Sequence, residues 1–208
     1  MTIVTLKESA DAVFRIGLSD GSLFSFKCAY LPPSFQNGFA LEPGQEISSD
    51  DENAYRFAAS CYRTEKLALR LIARAEQNSR GLARKLEQRK QEPASVRAVL
   101  NHLMEIGILD DQRYAELWVR SRLARLLGTP RRLAAGLAAR GIDRDTADQV
   151  LKTALDTDHE LALLKTYLRK KKLAFDNDRG ADYRSLRYHL KGEGFSGSVL
   201  ERLLEEAE

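Results

Sequence analysis

Asn78-Ser79-Arg80-Gly81-Leu82 with Leu86, Thr129-Pro130-Arg131-Arg132-Leu133 with Leu137, and Asp182-Tyr183-Arg184-Ser185-Leu186 with Leu190 carry one pattern in one register. Each copy opens on a residue whose side-chain oxygen accepts from the free N–H groups of a helix start. An Arg follows two residues later, then two Leu four apart, the spacing of one apolar helical stripe. Thirteen residues past each second Leu stands an apolar pair: Val99-Leu100, Val150-Leu151 and Leu203-Leu204. The copies are 51 and then 53 residues apart. A repeat of this length implies stacked supersecondary units, so it decides the architecture ahead of any single motif.

Within each copy a break follows the first short helix: Gln91-Glu92-Pro93, Gly141-Ile142-Asp143 and Gly194-Phe195-Ser196. Pro93 suits the first helical position, where a missing N–H costs nothing, and Asp143 and Ser196 suit the cap. A second short amphipathic helix then carries the apolar pair. A longer helix precedes each couple, over about 49–76, 111–127 and 158–172, the first with a capping box at Ser49 and Glu52. The predicted fold is therefore mainly α: an elongated tandem array of three-helix repeats over 51–108, 109–155 and 156–208.

Residues 1–50 read differently. Phe14, Ile16 and Leu18 alternate, as do Phe24, Phe26 and Cys28, around Ser19-Asp20-Gly21-Ser22, a strong hairpin signal. Ile3-Val4-Thr5-Leu6 supplies a third strand, and residues 34–48 read as a loop with a Pro43-Gly44 turn. A small N-terminal antiparallel β segment of this size needs support, which the first long helix would give.

Composition bounds the rest. A 43% hydrophobic fraction permits small cores, and 30% charged residues suit a surface-rich molecule. Cys28 and Cys61 stand in no metal or redox spacing, and no apolar run reaches the length of a signal or membrane segment, so a cytoplasmic chain with reduced thiols is expected. Charge is uneven: residues 1–50 hold three Lys/Arg against six Asp/Glu, which leaves 30 against 24 for the remainder.

Catalytic chemistry is hard to find. His102, His159 and His189 read as isolated surface histidines without ligand spacing, so neither metal nor cofactor is expected. Gly192-Glu193-Gly194-Phe195-Ser196-Gly197 has the letters of a dinucleotide loop but follows a helix, and reads as a connector. Asp176-Asn177-Asp178 before Gly180 hints at a calcium loop, yet its twelfth position is Arg187 where a Glu is required. Asp110-Asp111 sits where a helix cap is needed. The expected protein is not an enzyme.

The arginines are the chemistry that remains. Arg63, Arg70 and Arg74 share a helical face with Lys66; Arg113, Arg120, Arg122 and Arg125 form a second strip; Lys165, Arg169 and Lys170–Lys172 form a third. A solvated face is the ordinary fate of such strips. Arg80, Arg131 and Arg184, however, each lie two residues past a cap. A cation at the electropositive end of a helix costs roughly 0.3–1 kcal/mol. Either a neighbouring acid or an anionic partner, phosphate or acidic protein, offsets it. Trp118, four residues past Tyr114, reads as a core aromatic.

Leu109-Asp110-Asp111-Gln112-Arg113-Tyr114-Ala115, followed by Trp118-Val119-Arg120, resembles the signature of the RecX family, regulators of the RecA recombinase. Ser79-Arg80-x-Leu82 with Leu86, Gly107-Ile108-Leu109, and Arg132-Leu133 with Leu137 and Arg140-Gly141-Ile142 extend the resemblance over about 54–155, and more loosely over 156–206. Two departures stand out: Lys90-Gln91-Glu92-Pro93 replaces the family's usual turn glycine, and no acid follows Gly81. The resemblance implies a non-enzymatic, monomeric array that lies in the groove of the RecA–DNA filament. It implies restraint of recombinase, ATPase and coprotease activity, and so a place in recombination, DNA repair and the SOS response. Arg63, Arg70, Arg74, Arg80, Arg113, Arg120, Arg122, Arg125, Arg131 and Arg132 are the residues expected to meet filament acids or the DNA phosphate backbone. The alternative is a sequence-nonspecific DNA-binding protein that competes for DNA.

Overall fold

The computed structural model describes residues 1–9, 12–36, 41–173 and 181–206. The Asp176–Gly180 segment considered above as a calcium loop lies outside them. Strands β1 (Ile3–Ser9), β2 (Val13–Leu18) and β3 (Leu23–Lys27) form an antiparallel sheet in the order β1-β2-β3. The hairpin turn is at Asp20-Gly21: Gly21 has φ +86°, a value that favours glycine, and the Asp20 carboxylate accepts from the Ser22 N–H. A 3-10 turn (Cys28–Tyr30) and the four-residue helix α1 (Pro33–Gln36) follow. Part of the segment read as a loop is hydrogen-bonded to the first strand and the residues before it. Ile3 donates to the Gln45 carbonyl at 2.9 Å, Gly44 donates to Ile3 at 2.8 Å, and Ile47 donates to Met1.

Helices α2 (Ser49–Ile72), α3 (Ser79–Glu87) and α4 (Pro93–Glu105) come next, then α5 (Asp111–Leu123), α6 (Pro130–Ala139) and α7 (Arg144–Ala154), then α8 (Thr157–Lys171), α9 (Ala181–Gly192) and α10 (Gly197–Glu205). The order long–short–short recurs three times, as the repeat requires. The chain divides into two compact units, Met1–Asp110 and Asp111–Glu208.

In the first unit the sheet rests on α2. Phe26 is fully buried and its ring lies 5.3 Å from that of Tyr55, while Lys27 reaches Glu65, a buried carboxylate on α2, at 2.8 Å. The repeat leucines Leu82 and Leu86 close the same core with Val96, Val99 and Leu103. In the second unit Leu133, Leu137 and Leu190 are buried with Val150, Leu164, Val199 and Leu200. Each such side chain contributes roughly 1.5–3 kcal/mol on leaving water. Glu160 of α8 accepts from both the backbone N–H and the hydroxyl of Ser196, and so fastens the start of α10.

The caps explain where helices begin. Asn78, Thr129, Asp143 and Ser196 each accept from a backbone N–H three residues on, as the sequence predicts. Other boundaries shift. The capping box is Ser48 with Asp51, one residue before the predicted pair, because Ser48 is extended and its hydroxyl meets the Asp51 N–H at 3.1 Å. Helix α8 is capped by Asp156. Helix α2 stops at Ile72 and α5 at Leu123, short of the predicted ends. Leu126 at φ +48° and Gly128 at φ +102° turn the chain out of α5. Asp182 falls inside α9, not before it.

Candidate partner-binding surface

In the first unit, Arg63 and Arg70 lie seven apart on α2 and Arg74 just past its end, all exposed, on the side away from buried Tyr55, Ala58, Ala68 and Glu65. Arg80 is the second residue of α3 and is exposed. Among the described residues none of these four has a carboxylate within ion-pair distance. Arg56, two turns before Arg63 on α2, is held by Glu52 and lies over the Phe24 ring.

The second unit arranges its arginines differently, and the predicted single strip on α5 divides. Nine residues separate Arg113 from Arg122, two and a half turns, so they face opposite ways. Arg120 lines a cavity with Glu116, Gln149, Asp156 and His159. Arg122 lines another, between α5 and α6, with Trp118, Arg132 and Arg140. Arg125 is exposed in the turn beyond α5.

Arg131 answers the question posed by a cation at a helix start. Its guanidinium donates to the Gly192 carbonyl at 3.3 Å, and its backbone N–H donates to the Glu193 carbonyl at 3.0 Å. Thr129 donates its hydroxyl to the Glu193 carboxylate at 2.9 Å. The electronegative end of α9 thus faces the electropositive end of α6, and the cost is offset within the unit. The Gly192–Gly197 stretch is this connector between α9 and α10. Gly194, at φ +90°, lies so close to the Arg131 backbone that a Cβ would sit 3.0 Å from its nitrogen. Of the third strip, Lys165 is paired with Glu206.

Trp118 packs against the core of the second unit, as predicted, from a position at its edge. It is half-buried, with the Arg122 guanidinium 5.1 Å and that of Arg140 4.5 Å from its ring centre. Gly136 of α6 makes the space: a Cβ there would stand 2.4 Å from the indole edge. Arg140 also donates to the Gly136 carbonyl at 2.8 Å. The signal was present as Arg132, Gly136 and Arg140 at i, i+4 and i+8, facing Trp118 and Arg122 at i and i+4.

The histidines are less isolated than their spacing suggests. His159 lies 2.8 Å from the Asp156 cap, His189 lies 2.9 Å from the Tyr167 hydroxyl, and His102 meets the Tyr30 ring edge-on. Backbone hydrogen bonding from His159 holds the Asp156 carboxyl below the usual range. Among the described residues no three His, Cys, Asp or Glu converge as metal ligands, and no helix is long and apolar enough to cross a membrane. Burial pushes the Cys61 thiol up to about 11 and raises that of Cys28, which keeps both protonated and poorly nucleophilic at neutral pH.

Three-helix sets in series, with arginines on their outer faces, place the chain among helical-repeat proteins. A family model described as RecX, second three-helix domain, matches residues 110–151. A regulatory protein RecX of Mycobacterium sp. (strain KMS) is 33% identical over 80% of this chain and 89% of its own. One from Halorhodospira halophila is 47% identical over 42% of this chain, a match that spans 53% of that relative. A crystal structure of regulatory protein RecX covers 96% of this chain at TM-score 0.67 and 21% identity, and shares the fold. The chain belongs to the RecX family, whose curated members carry the name regulatory protein.

Proposed function

We propose that this protein binds along the RecA–DNA filament and restrains its recombinase, ATPase and coprotease activities, working in the cytoplasm as a monomer and by contact instead of catalysis. The observation that carries this reading is the set Arg63, Arg70, Arg74 and Arg80, four exposed cations on α2, its C-terminal turn and α3 without an ion-pair partner among the described residues. In this reading 51–108, 109–155 and 156–208 act as successive modules after the sheet segment 1–50. Several weak contacts on a periodic partner sum as avidity. Arg113, Arg120, Arg122, Arg125 and Arg132 extend the set into the second unit, and Arg131 serves mainly inside it.

The test is RecA ATPase and filament length on single-stranded DNA, with and without this protein. The protein should lower both, and Arg63→Glu with Arg70→Glu should weaken the effect at least ten-fold while circular dichroism stays unchanged. Normal suppression by that double variant would overturn the assignment. A second reading, direct competition for DNA, is favoured by the arginine-lined hollow at Trp118. It requires DNA binding without RecA that falls steeply with salt.

A further inference from the structure

The seam between the long helix and the last short helix recurs in the first two copies, and the chain itself fills it in the first. The 51-residue spacing sets Glu65, Ala98 and His102 against Glu116, Gln149 and Thr153. In the first unit the seam lies between α2 and α4. Tyr30 of the 3-10 turn is buried there, its ring centre 5.2 Å from that of His102. Burial and the neighbouring Glu65 carboxylate hold the Tyr30 hydroxyl well above its usual pKa. Lys27, three residues earlier, pairs with Glu65 at 2.8 Å. One short segment thus closes the seam with an aromatic anchor and a cation.

In the second unit the same seam, between α5 and α7, is an open groove of about 530 Å³. Leu123, Val150 and Ala154 give it an apolar floor, and Glu116, Gln149 and Thr153 line it. Glu116 is exposed and accepts from the Gln112 amide at 3.1 Å. Among the described residues no cation lies within ion-pair distance of it. Arg120, in the place of Leu69, adds one positive charge to the lining, against the carboxylates of Glu116 and Asp156. His159 is bonded to Asp156. A groove with this floor and these acids favours an apolar group with a cation beside it over a phosphate chain.

We propose that the groove between α5 and α7 docks a protein segment of the recombinase that presents an aromatic side chain with a Lys or Arg about three residues before it, as Tyr30 and Lys27 are presented to the first repeat. The ring rests on Leu123, Val150 and Ala154, and the cation pairs with Glu116. The groove falls within the range of ligand pockets, roughly 300–1,000 Å³. Aromatic anchors seated in such pockets carry much of an interface's binding energy. The site rests on the reading that the chain binds the RecA filament, and it adds a contact of the opposite sign. The arginines face acids or phosphates; the groove faces a base.

The experiment measures binding of the full chain to RecA filaments on oligothymidylate and, as a second arm, to oligothymidylate alone. Glu116→Lys reverses the charge offered to the incoming cation, and Thr153→Trp fills the groove from α7. Both positions are exposed, and circular dichroism checks that each variant is folded. Each substitution should weaken filament binding about ten-fold, the loss expected when a central anchor is excluded. Neither should weaken binding to oligothymidylate alone. The sign of Glu116→Lys is decisive, because an added cation tightens any contact with DNA or with an acidic segment. Unchanged or tighter filament binding by Glu116→Lys, full binding by Thr153→Trp, or a parallel loss on oligothymidylate alone would each overturn the proposal. The two readings fail differently. Suppression of RecA ATPase by the unaltered protein and both variants alike strikes the groove and keeps filament binding. An unaltered protein without effect on RecA ends the filament reading, and the groove's partner with it.

Discussion

The first and second copies of the repeat, residues 78–100 and 129–151, share a backbone and differ on the surface. Asn78 and Thr129 cap α3 and α6 through the same bond, to the N–H three residues on. Each short helix ends the same way: Gln91 donates to the Leu86 carbonyl and Ile142 to that of Leu137, both at 3.2 Å. Phe195 repeats this bond to Leu190 in the third copy. These are helix-terminating turns that consume carbonyls the helix leaves open. Yet the turn residue is Lys90 in one copy and Gly141 in the other, and Arg80 is exposed where Arg131 is bound to the end of α9. The comparison shows which positions a repeat must keep. Buried leucines and helix ends are fixed by desolvation and hydrogen bonding; outward positions are free to diverge toward a partner or toward the rest of the unit.

The strongest way to break that equivalence is through the leucines. Leu86→Ala and Leu137→Ala should each cost about 2–5 kcal/mol in urea denaturation, since both side chains are fully buried. A loss under about 1 kcal/mol at one of them would show that its helix is not held by the shared core. Gly136→Ala comes next and should cost about 1–3 kcal/mol by overpacking the indole. The slot 51 residues earlier is Lys85, and Leu67 stands where Trp118 does, so Lys85→Ala carries no such penalty. The hollow is a property of the second copy alone among these two.

The turn sharpens the comparison further. Lys90 sits at φ +58°, a left-handed conformation that costs an L-residue roughly 1–2 kcal/mol and glycine almost nothing. Lys90→Gly should therefore stabilise the first unit by about 1 kcal/mol, and Gly141→Lys should destabilise the second by a similar amount. Both are read as shifts of the urea midpoint. A destabilised Lys90→Gly variant would mean that the lysine makes a contact worth more than the strain.

The repeat itself was legible because burial and capping write periodic signals. The leucine pairs, the caps Asn78, Thr129, Asp143 and Ser196 and the Asp20-Gly21 hairpin all stand where the sequence placed them. Helix ends were less legible. The run of apolar residues past Leu123 looks helical until Leu126 and Gly128 take positive φ, which no periodicity announces. The role of Arg131 was hidden for a different reason: its partner is a backbone carbonyl 61 residues away, and carbonyls carry no sequence signature. The Trp118 hollow was half visible. Its two arginine-bearing faces each show a regular spacing, but only packing α5 on α6 reveals that a glycine lets the indole between them.

The smallest expected effect tests whether Arg80 is kept for a partner. At the second position of α3 a cation opposes the helix dipole, and nothing in the described structure offsets it. Arg80→Glu should then stabilise the free protein by about 0.3–1 kcal/mol, because an acid suits that place. Arg131→Glu makes the same exchange at the start of α6 but removes the bond to Gly192 and sets a carboxylate beside the Glu193 side chain. Its net effect should be a loss. The two substitutions thus differ in sign, which equilibrium urea unfolding of the paired variants resolves. If Arg80→Glu also weakens suppression of RecA ATPase, a residue that lowers stability is being retained for binding. A destabilised Arg80→Glu would instead give Arg80 an intramolecular role like that of Arg131, and the two copies would be alike at this position after all.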